Sequence, residues 1–154
     1  MIKIKSISIK GFRGVKNELL LKLNSNSALF FGNNGTGKSS ITDAIEWFYN
    51  NSVGHLSSEE IDRKGGLTAL MNTFADIEKC SVEINFIDNS LNSQKSIILK
   101  HSNLDVENSN NTDTFIKYID CSKKENLILR YEDLTGFVLS TKKKTRSIIK
   151  DYRF

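Results

Sequence analysis

Apolar and polar residues alternate at the start of the chain. Ile2, Ile4, Ile7 and Ile9 stand among Lys and Ser, and the alternation slips phase at Lys5 and Ser6. A period of two predicts a strand with one buried face, and an extra residue at the slip predicts a β-bulge. Gly11-Phe12-Arg13-Gly14 reads as a turn into a second strand over residues 15–23, with Leu19, Leu21 and Leu23 on one face, so the two form a hairpin. The short aromatic run at residues 27–31 has the pattern of a strand buried on both faces. Beyond a glycine-rich stretch, Ile41, Ala44, Ile45 and Phe48 recur at helical spacing, with Asp43 in the first turns, where a helix N-terminus favours an acid.

Further along, residues 59–63 and 67–74 read as short helices around Gly65 and Gly66. Cys80, Val82, Ile84 and Phe86 alternate with polar residues, and a turn-rich stretch at 88–93 leads into residues 95–100, which predicts a second hairpin. The polar, Asn-rich residues 102–114 read as an exposed loop. Short strands are expected at 115–119 and 127–129, followed by helices at 132–140 and 142–153.

The 154 residues suit one domain with its own core. At 38% hydrophobic and 26% charged residues the chain has the balance of a soluble globular protein, and no spanning or secretory segment stands out, so a cytoplasmic location with no membrane contact is expected. Cys80 and Cys121 are far apart and lack metal-ligand neighbours, so both are expected as buried free thiols; His55 and His101 are isolated and receive no role. Residues 1–40 carry seven Lys/Arg against one acid, residues 41–120 six against thirteen, and residues 121–154 nine against four. Basic ends around an acidic middle suit contact with an anionic polymer such as DNA, or simply solvated faces.

The chemistry is carried by Gly32-Asn33-Asn34-Gly35-Thr36-Gly37-Lys38-Ser39, which fits the phosphate-loop pattern G-x-x-x-x-G-K-S/T at every fixed position. Glycines open backbone conformations closed to other residues and let N–H groups approach phosphate oxygens, and the following helix adds the positive end of its dipole. Lys38 is expected on the β- and γ-phosphates of ATP and Ser39 on Mg²⁺. Asn33, Asn34, Gly35, Thr36, Gly37 and Ser40 complete the expected nucleotide-binding set.

The strand ending in Ile9-Lys10-Gly11-Phe12-Arg13-Gly14, followed by the loop with Ser40 and by Asp43-Ala44-Ile45, resembles the N-terminal head segment of the SMC, RecF, RecN and SbcC ATPases, ABC-type members of the AAA-family ATPases. The resemblance is specific over residues 1–50. It implies an α/β fold, a P-loop NTPase half-head with β-hairpins before and after the P-loop helix and C-terminal helices. Residues 1–140 would form the N-terminal lobe and residues 141–154 a basic helix opening a coiled-coil arm. It also implies that Arg13 lies near the nucleotide. Family members use a glutamine near the end of this lobe to sense Mg²⁺, but the one glutamine, Gln94, falls in the second hairpin, which leaves Glu132 or Asp133 as substitutes. No Leu-Ser-Gly-Gly signature occurs, nor four apolar residues running into Asp-Glu as in a Walker B motif.

The sequence therefore reads as an ATP-binding lobe truncated before those motifs, working in DNA repair or anti-phage defence. Its expected partners are a complementary C-terminal ATPase half or a second head, DNA, and a nuclease subunit, and it would be an ATPase only when completed. The rival readings are a self-sufficient P-loop enzyme such as a small-molecule kinase and a non-catalytic DNA-binding fragment.

Overall fold

A computed structural model describes residues 2–54, 56, 66–76 and 80–124. Its elements, in chain order, are β1 (Ile4–Lys10), β2 (Leu19–Lys22), α1 (Lys38–Asn50), a 3-10 turn (Gly66–Leu70), β3 (Ser81–Phe86), β4 (Ser93–Lys100), β5 (Asn103–Asn108) and α2 (Asp113–Lys124). The strands form one antiparallel sheet in the order β2-β1-β3-β4-β5. Both predicted hairpins are present. The phase slip in β1 is a real irregularity, since its register against β3 shifts between Ile4 and Ser6. That shift keeps Ile7 opposite Ile84 and Ile9 opposite Val82, which puts all four on the buried face.

α1 lies against this face with Ala44, Trp47 and Phe48 sealed from solvent. Each large side chain buried in this way contributes about 1.5–3 kcal/mol. Asp43 and Glu46 are buried as well, so the helix is covered over more of its circumference than its apolar spacing predicts. Asp43 does not serve the helix dipole: α1 has no acid in its first turn, and the Asp43 carboxylate is fully enclosed.

Four other expectations are corrected. Residues 27–31 form no strand, and Leu29 and Phe31 are 87% and 90% exposed. A strand buried on both faces needs neighbours at its edges and layers above and below, and the described strands all pair elsewhere. The polar stretch 102–114 is not a loop throughout, because β5 continues the sheet. Leu104 and Val106 alternate with Asn103, Asp105 and Glu107, and His101 and Ser102 take φ 48° and 70°, the doubly left-handed pair of a two-residue hairpin turn. Residues 115–119 belong to helix α2 rather than a strand. Thr112 Oγ1 accepts from Phe115 N at 3.3 Å, Asp113 sits in the first turn, and Lys123 and Lys124 sit in the last, all favourable helix signals. Cys121 is exposed; Cys80 is buried as expected, and burial pushes its thiol up to about 12. Of the two short helices expected in the middle, 66–70 is a single 3-10 segment and 59–63 lies outside the described residues, as do the elements expected after residue 124.

α2 packs through Phe115 on Phe48 and through Tyr118 on Tyr49 and Phe86, with ring centroids 5.3–6.2 Å apart and near-perpendicular planes. The Tyr49 and Tyr118 hydroxyls meet at 2.9 Å; burial, and then this contact, raise the Tyr49 phenol above its ordinary range.

The C-terminal end of α1 is closed by an unusual donor. Lys95 stands on the core face of β4, only 4% exposed, and its Nζ donates to Trp47 O (3.1 Å), Phe48 O (2.6 Å) and Asn51 Oδ1 (2.6 Å). Those carbonyls belong to the last turn, where a cation also meets the negative end of the dipole. Burial, and then the nearby Lys123, lower its pKa from 10.5 to about 8.

Replacing Lys95 by Met removes the donor that Phe48 O and Asn51 Oδ1 share, while Trp47 O keeps the Asn51 N–H, so urea denaturation at neutral pH is expected to show a loss of about 1–3 kcal/mol. The lowered pKa adds a pH signature. Between about pH 8 and pH 10.5 the unfolded chain holds a proton at Lys95 that the folded chain has released, so this residue's contribution to stability rises with pH across that window. The parent-minus-variant difference in unfolding free energy should therefore widen from pH 8 to 10.5; a difference that narrows would contradict the burial assigned to the amine.

Candidate nucleotide-binding site

The turn at residues 11–14 and the loop at residues 32–39 meet at the N-terminal end of α1. Gly37 is the N-cap residue, left-handed at φ 86°, and Gly35 is left-handed at φ 84°. A Cβ at either would strain the backbone. No side chain caps this end of α1. The Ser40 N–H is bonded to Gly37 O at 3.0 Å. The helix thus opens with uncapped backbone donors and the positive end of its dipole, the arrangement that binds an anion.

Lys38, the first residue of α1, folds its side chain back over the loop. Nζ donates to Gly32 O at 2.7 Å and Asn33 O at 2.6 Å, with a longer 3.5 Å contact to Thr36 Oγ1. Thr36 Oγ1 itself donates to Asn33 O at 2.9 Å, which braces the loop across its mouth. Asn33, Asn34, Gly35, Thr36 and Ser39 are exposed, while Gly37 and Lys38 are half-buried. Carbonyl oxygens occupy the ammonium, and phosphate oxygens would compete for it as stronger, charged acceptors.

The two serines after Lys38 differ. Ser39 is exposed, whereas Ser40 is buried and its Oγ accepts from Gly14 N at 3.1 Å. The Ser39 hydroxyl is accordingly the one available to a cation. Among the described residues no group of three or more His, Cys, Asp and Glu could hold a metal ion.

The turn is fixed from several sides. Phe12 is fully buried with its ring centroid 5.4 Å from that of Trp47. Arg13 takes φ 45°, a conformation that residues with a Cβ seldom adopt. It is held by Arg13 N donating to Leu70 O at 2.9 Å, by Asn72 Nδ2 donating to Arg13 O, and by Asn72 N donating to Gly11 O at 2.8 Å. Its guanidinium meets α1 directly, with Nε 2.9 Å from Asp43 Oδ2; the Arg13 side chain is 28% exposed and that of Asp43 0%. The next residue, Gly14, has no room for a side chain. A Cβ there would lie 2.9 Å from Ser40 Oγ and 3.6 Å from Gly37 Cα. Arg13 is therefore one residue from a contact with the last glycine of the loop.

Sequence reasoning had Arg13 and the whole phosphate loop, and the structure brings them together. It missed Asp43, Gly14 and Asn72 as the parts that hold the turn against the helix. Gly14 carried a readable signal in the paired glycines of Gly-Phe-Arg-Gly; Asn72 carried none. Gln94 is exposed on β4 and its Nε2 donates to Ser96 Oγ at 3.2 Å. Glu132 and Asp133 lie outside the described residues.

A family model of the AAA ATPase domain matches residues 2–152. No curated protein matches the chain. Among solved structures, the chain is similar to one from work on the structural biochemistry of ATP-driven dimerization and DNA-stimulated activation of SMC ATPases. The TM-score is 0.61 at 18% identity, covering 98% of this chain and 99% of that one, so the fold is that of an SMC ATPase head segment, a P-loop NTPase fold. Among the described residues no helix is long and apolar enough to cross a membrane.

The close fit of the turn to the loop yields a mutational cycle. Gly14→Ala forces a Cβ onto Ser40 Oγ and is expected to cost about 1–3 kcal/mol in thermal or urea melts. Ser40→Ala removes the colliding atom, so in that background the same Gly14→Ala change should cost clearly less. Additive losses would show that the strain lies elsewhere.

Proposed function

The chain belongs to the AAA ATPase domain family, and on that premise we propose that it is the ATP-binding N-terminal lobe of an SMC-like ATPase that acts on DNA, in repair or in defence against foreign DNA. The observation that carries this reading is the uncapped start of α1 behind two left-handed glycines, with Lys38 held across the loop mouth by weak acceptors. Asn33 to Ser39 would enclose the phosphates with backbone N–H groups, Lys38 would neutralise the β- and γ-phosphates, and Ser39 would ligate Mg²⁺. Mg²⁺ supplies charge neutralisation to the phosphates when bound. Ser40, the last of the expected set, has its hydroxyl turned to Gly14 and its N–H to Gly37 O.

The partner expected for this lobe is a C-terminal ATPase half or a second head. Support comes from the exposed aromatic run at 29–31, which leads directly into the phosphate loop and offers apolar surface and strand pattern to another element. The similar solved chain is described in terms of ATP-driven dimerization and DNA-stimulated activation; we carry both properties to this chain as part of the proposal, with a nuclease subunit as a further partner. The antiparallel sheet built from hairpins on either side of α1 speaks against a small-molecule kinase, whose P-loop ordinarily begins a run of alternating strands and helices. The 154 residues contain neither a Walker B run nor a signature motif, so the lobe alone would bind ATP and turn it over poorly.

Titration calorimetry with Mg²⁺-ATP is expected to show Lys38→Ala weakening binding about a hundredfold or more without changing the melting curve, because the ammonium contacts only the exposed loop. Ser39→Ala should instead lose the Mg²⁺ dependence while keeping affinity for free nucleotide. Equal binding by parent and Lys38→Ala would overturn the assignment. A coupled ATPase assay on the same chain should show slow turnover, and fast turnover independent of protein concentration would refute the need for a partner.

A further inference from the structure

The nucleotide reading leaves one buried acid unexplained. Asp43 is fully enclosed on α1, the helix that carries the phosphate loop, and its Oδ2 lies 2.9 Å from Arg13 Nε. An acid so close to an anion site would ordinarily weaken that site, since its charge opposes the ligand and offsets that of Arg13. Placing it there makes chemical sense when orientation matters more than net charge.

The geometry favours that account. A guanidinium is planar and carries five N–H donors; the close ion pair on its Nε side restrains the group and leaves the four donors on the two Nη atoms. The backbone beneath it is fixed too. Arg13 is held at φ 45° by contacts to Leu70 and Asn72, a strained conformation that persists because its surroundings over-determine it. The adjoining Gly14 rests on Ser40 and Gly37 at the loop–helix junction. The backbone of Arg13 and its neighbour Gly14 are held, its Nε side is paired with Asp43, and the side chain is still 28% exposed.

From this we infer that Asp43 is a positioning residue for nucleotide binding: it grips Arg13 by Nε so that the Nη donors are presented, already oriented, to a phosphate oxygen of the bound nucleotide. The inference rests on the nucleotide-binding reading above and adds to it a role for a side chain that does not touch the ligand. Preorganisation of this kind raises affinity by removing the cost of ordering a long side chain on binding.

The test is Mg²⁺-ATP affinity of the full chain by titration calorimetry, for Asp43→Asn, Arg13→Ala, the double variant and Arg13→Lys. Asn keeps the shape of Asp while removing a negative charge near the ligand. If Asp43 is only a nearby acid or a structural strut, Asp43→Asn binds ATP as well as the parent or better, and the inference is overturned. Positioning predicts the opposite sign, a loss of about tenfold despite the more favourable net charge. Arg13→Ala should lose about as much, and adding Asp43→Asn to it should cause no further loss; a second tenfold loss would show that Asp43 acts through something other than Arg13. Arg13→Lys retains the charge and an ion pair with Asp43, and keeps the test open if Asp43→Asn fails to fold. Its ammonium has no second planar edge to offer, so it should bind like Arg13→Ala, and parent-like binding by Arg13→Lys overturns the inference. Binding by the parent with no effect of these variants removes the role of Asp43 alone, whereas no binding by the parent removes the nucleotide reading and this inference with it.

Discussion

The contact between Arg13 and Asp43 joins the two halves of sequence on which the candidate site depends. One partner lies in the turn that closes the first hairpin and the other on the helix behind the phosphate loop, and between them run the connecting residues of β2 and the exposed segment 27–31. A fully enclosed carboxylate without a cation would cost several kcal/mol in lost hydration, so the pair fixes how the turn and helix dock as strongly as apolar packing does. Around it the neutral contacts agree. Phe12 meets Trp47, Gly14 N meets Ser40 Oγ, and Asn72 ties the other side of the turn. Each of these is a close fit, and together they leave the turn one position against the loop.

The far end of α1 is fixed by an equally long-range polar contact. Lys95 reaches from β4 into the last turn and meets three acceptors, with the rings of Trp47 and Phe48 within 5.6 Å of its ammonium. The helix is thereby anchored at one end to the first hairpin and at the other to the second. Its start is left to backbone N–H groups with no side-chain cap. A rigid helix with an uncapped positive end is a suitable base for an anion, because little has to reorganise when charge arrives.

The apolar run before the loop bears on the proposed partnership. Leu29 and Phe31 are among the most exposed apolar side chains described, and they stand immediately before Gly32. Water contact over several apolar groups in a row is costly, and whatever covers them also bears on the loop. Nucleotide binding and association would in this way share a boundary in the chain, which is consistent with the proposed ATP-dependent partnership.

Local pattern alone determined a good part of this protein. The alternation in β1 with its slip, the two hairpins, α1 and the phosphate loop are all signals carried by neighbours within a few residues, and hydrophobic period and glycine placement encode such signals directly. What local pattern could not determine was anything that depended on a distant partner. Residues 27–31 have the composition of a buried strand, but burial is supplied by neighbours, and the described sheet supplies none. β5 was concealed because two apolar residues among Asn, Asp and Glu are too few to outweigh polar composition, and its pairing with β4 made it a strand. Residues 115–119 look extended over five positions; the i, i+3, i+4 contacts of Phe115, Tyr118 and Ile119 with the core appear only when α1 is in place. Asp43 is the sharpest case. On the sequence it is an acid near a helix start, and only the tertiary structure, by bringing in Arg13 from thirty positions earlier in the chain, turns it into the fully buried half of an ion pair beside the loop.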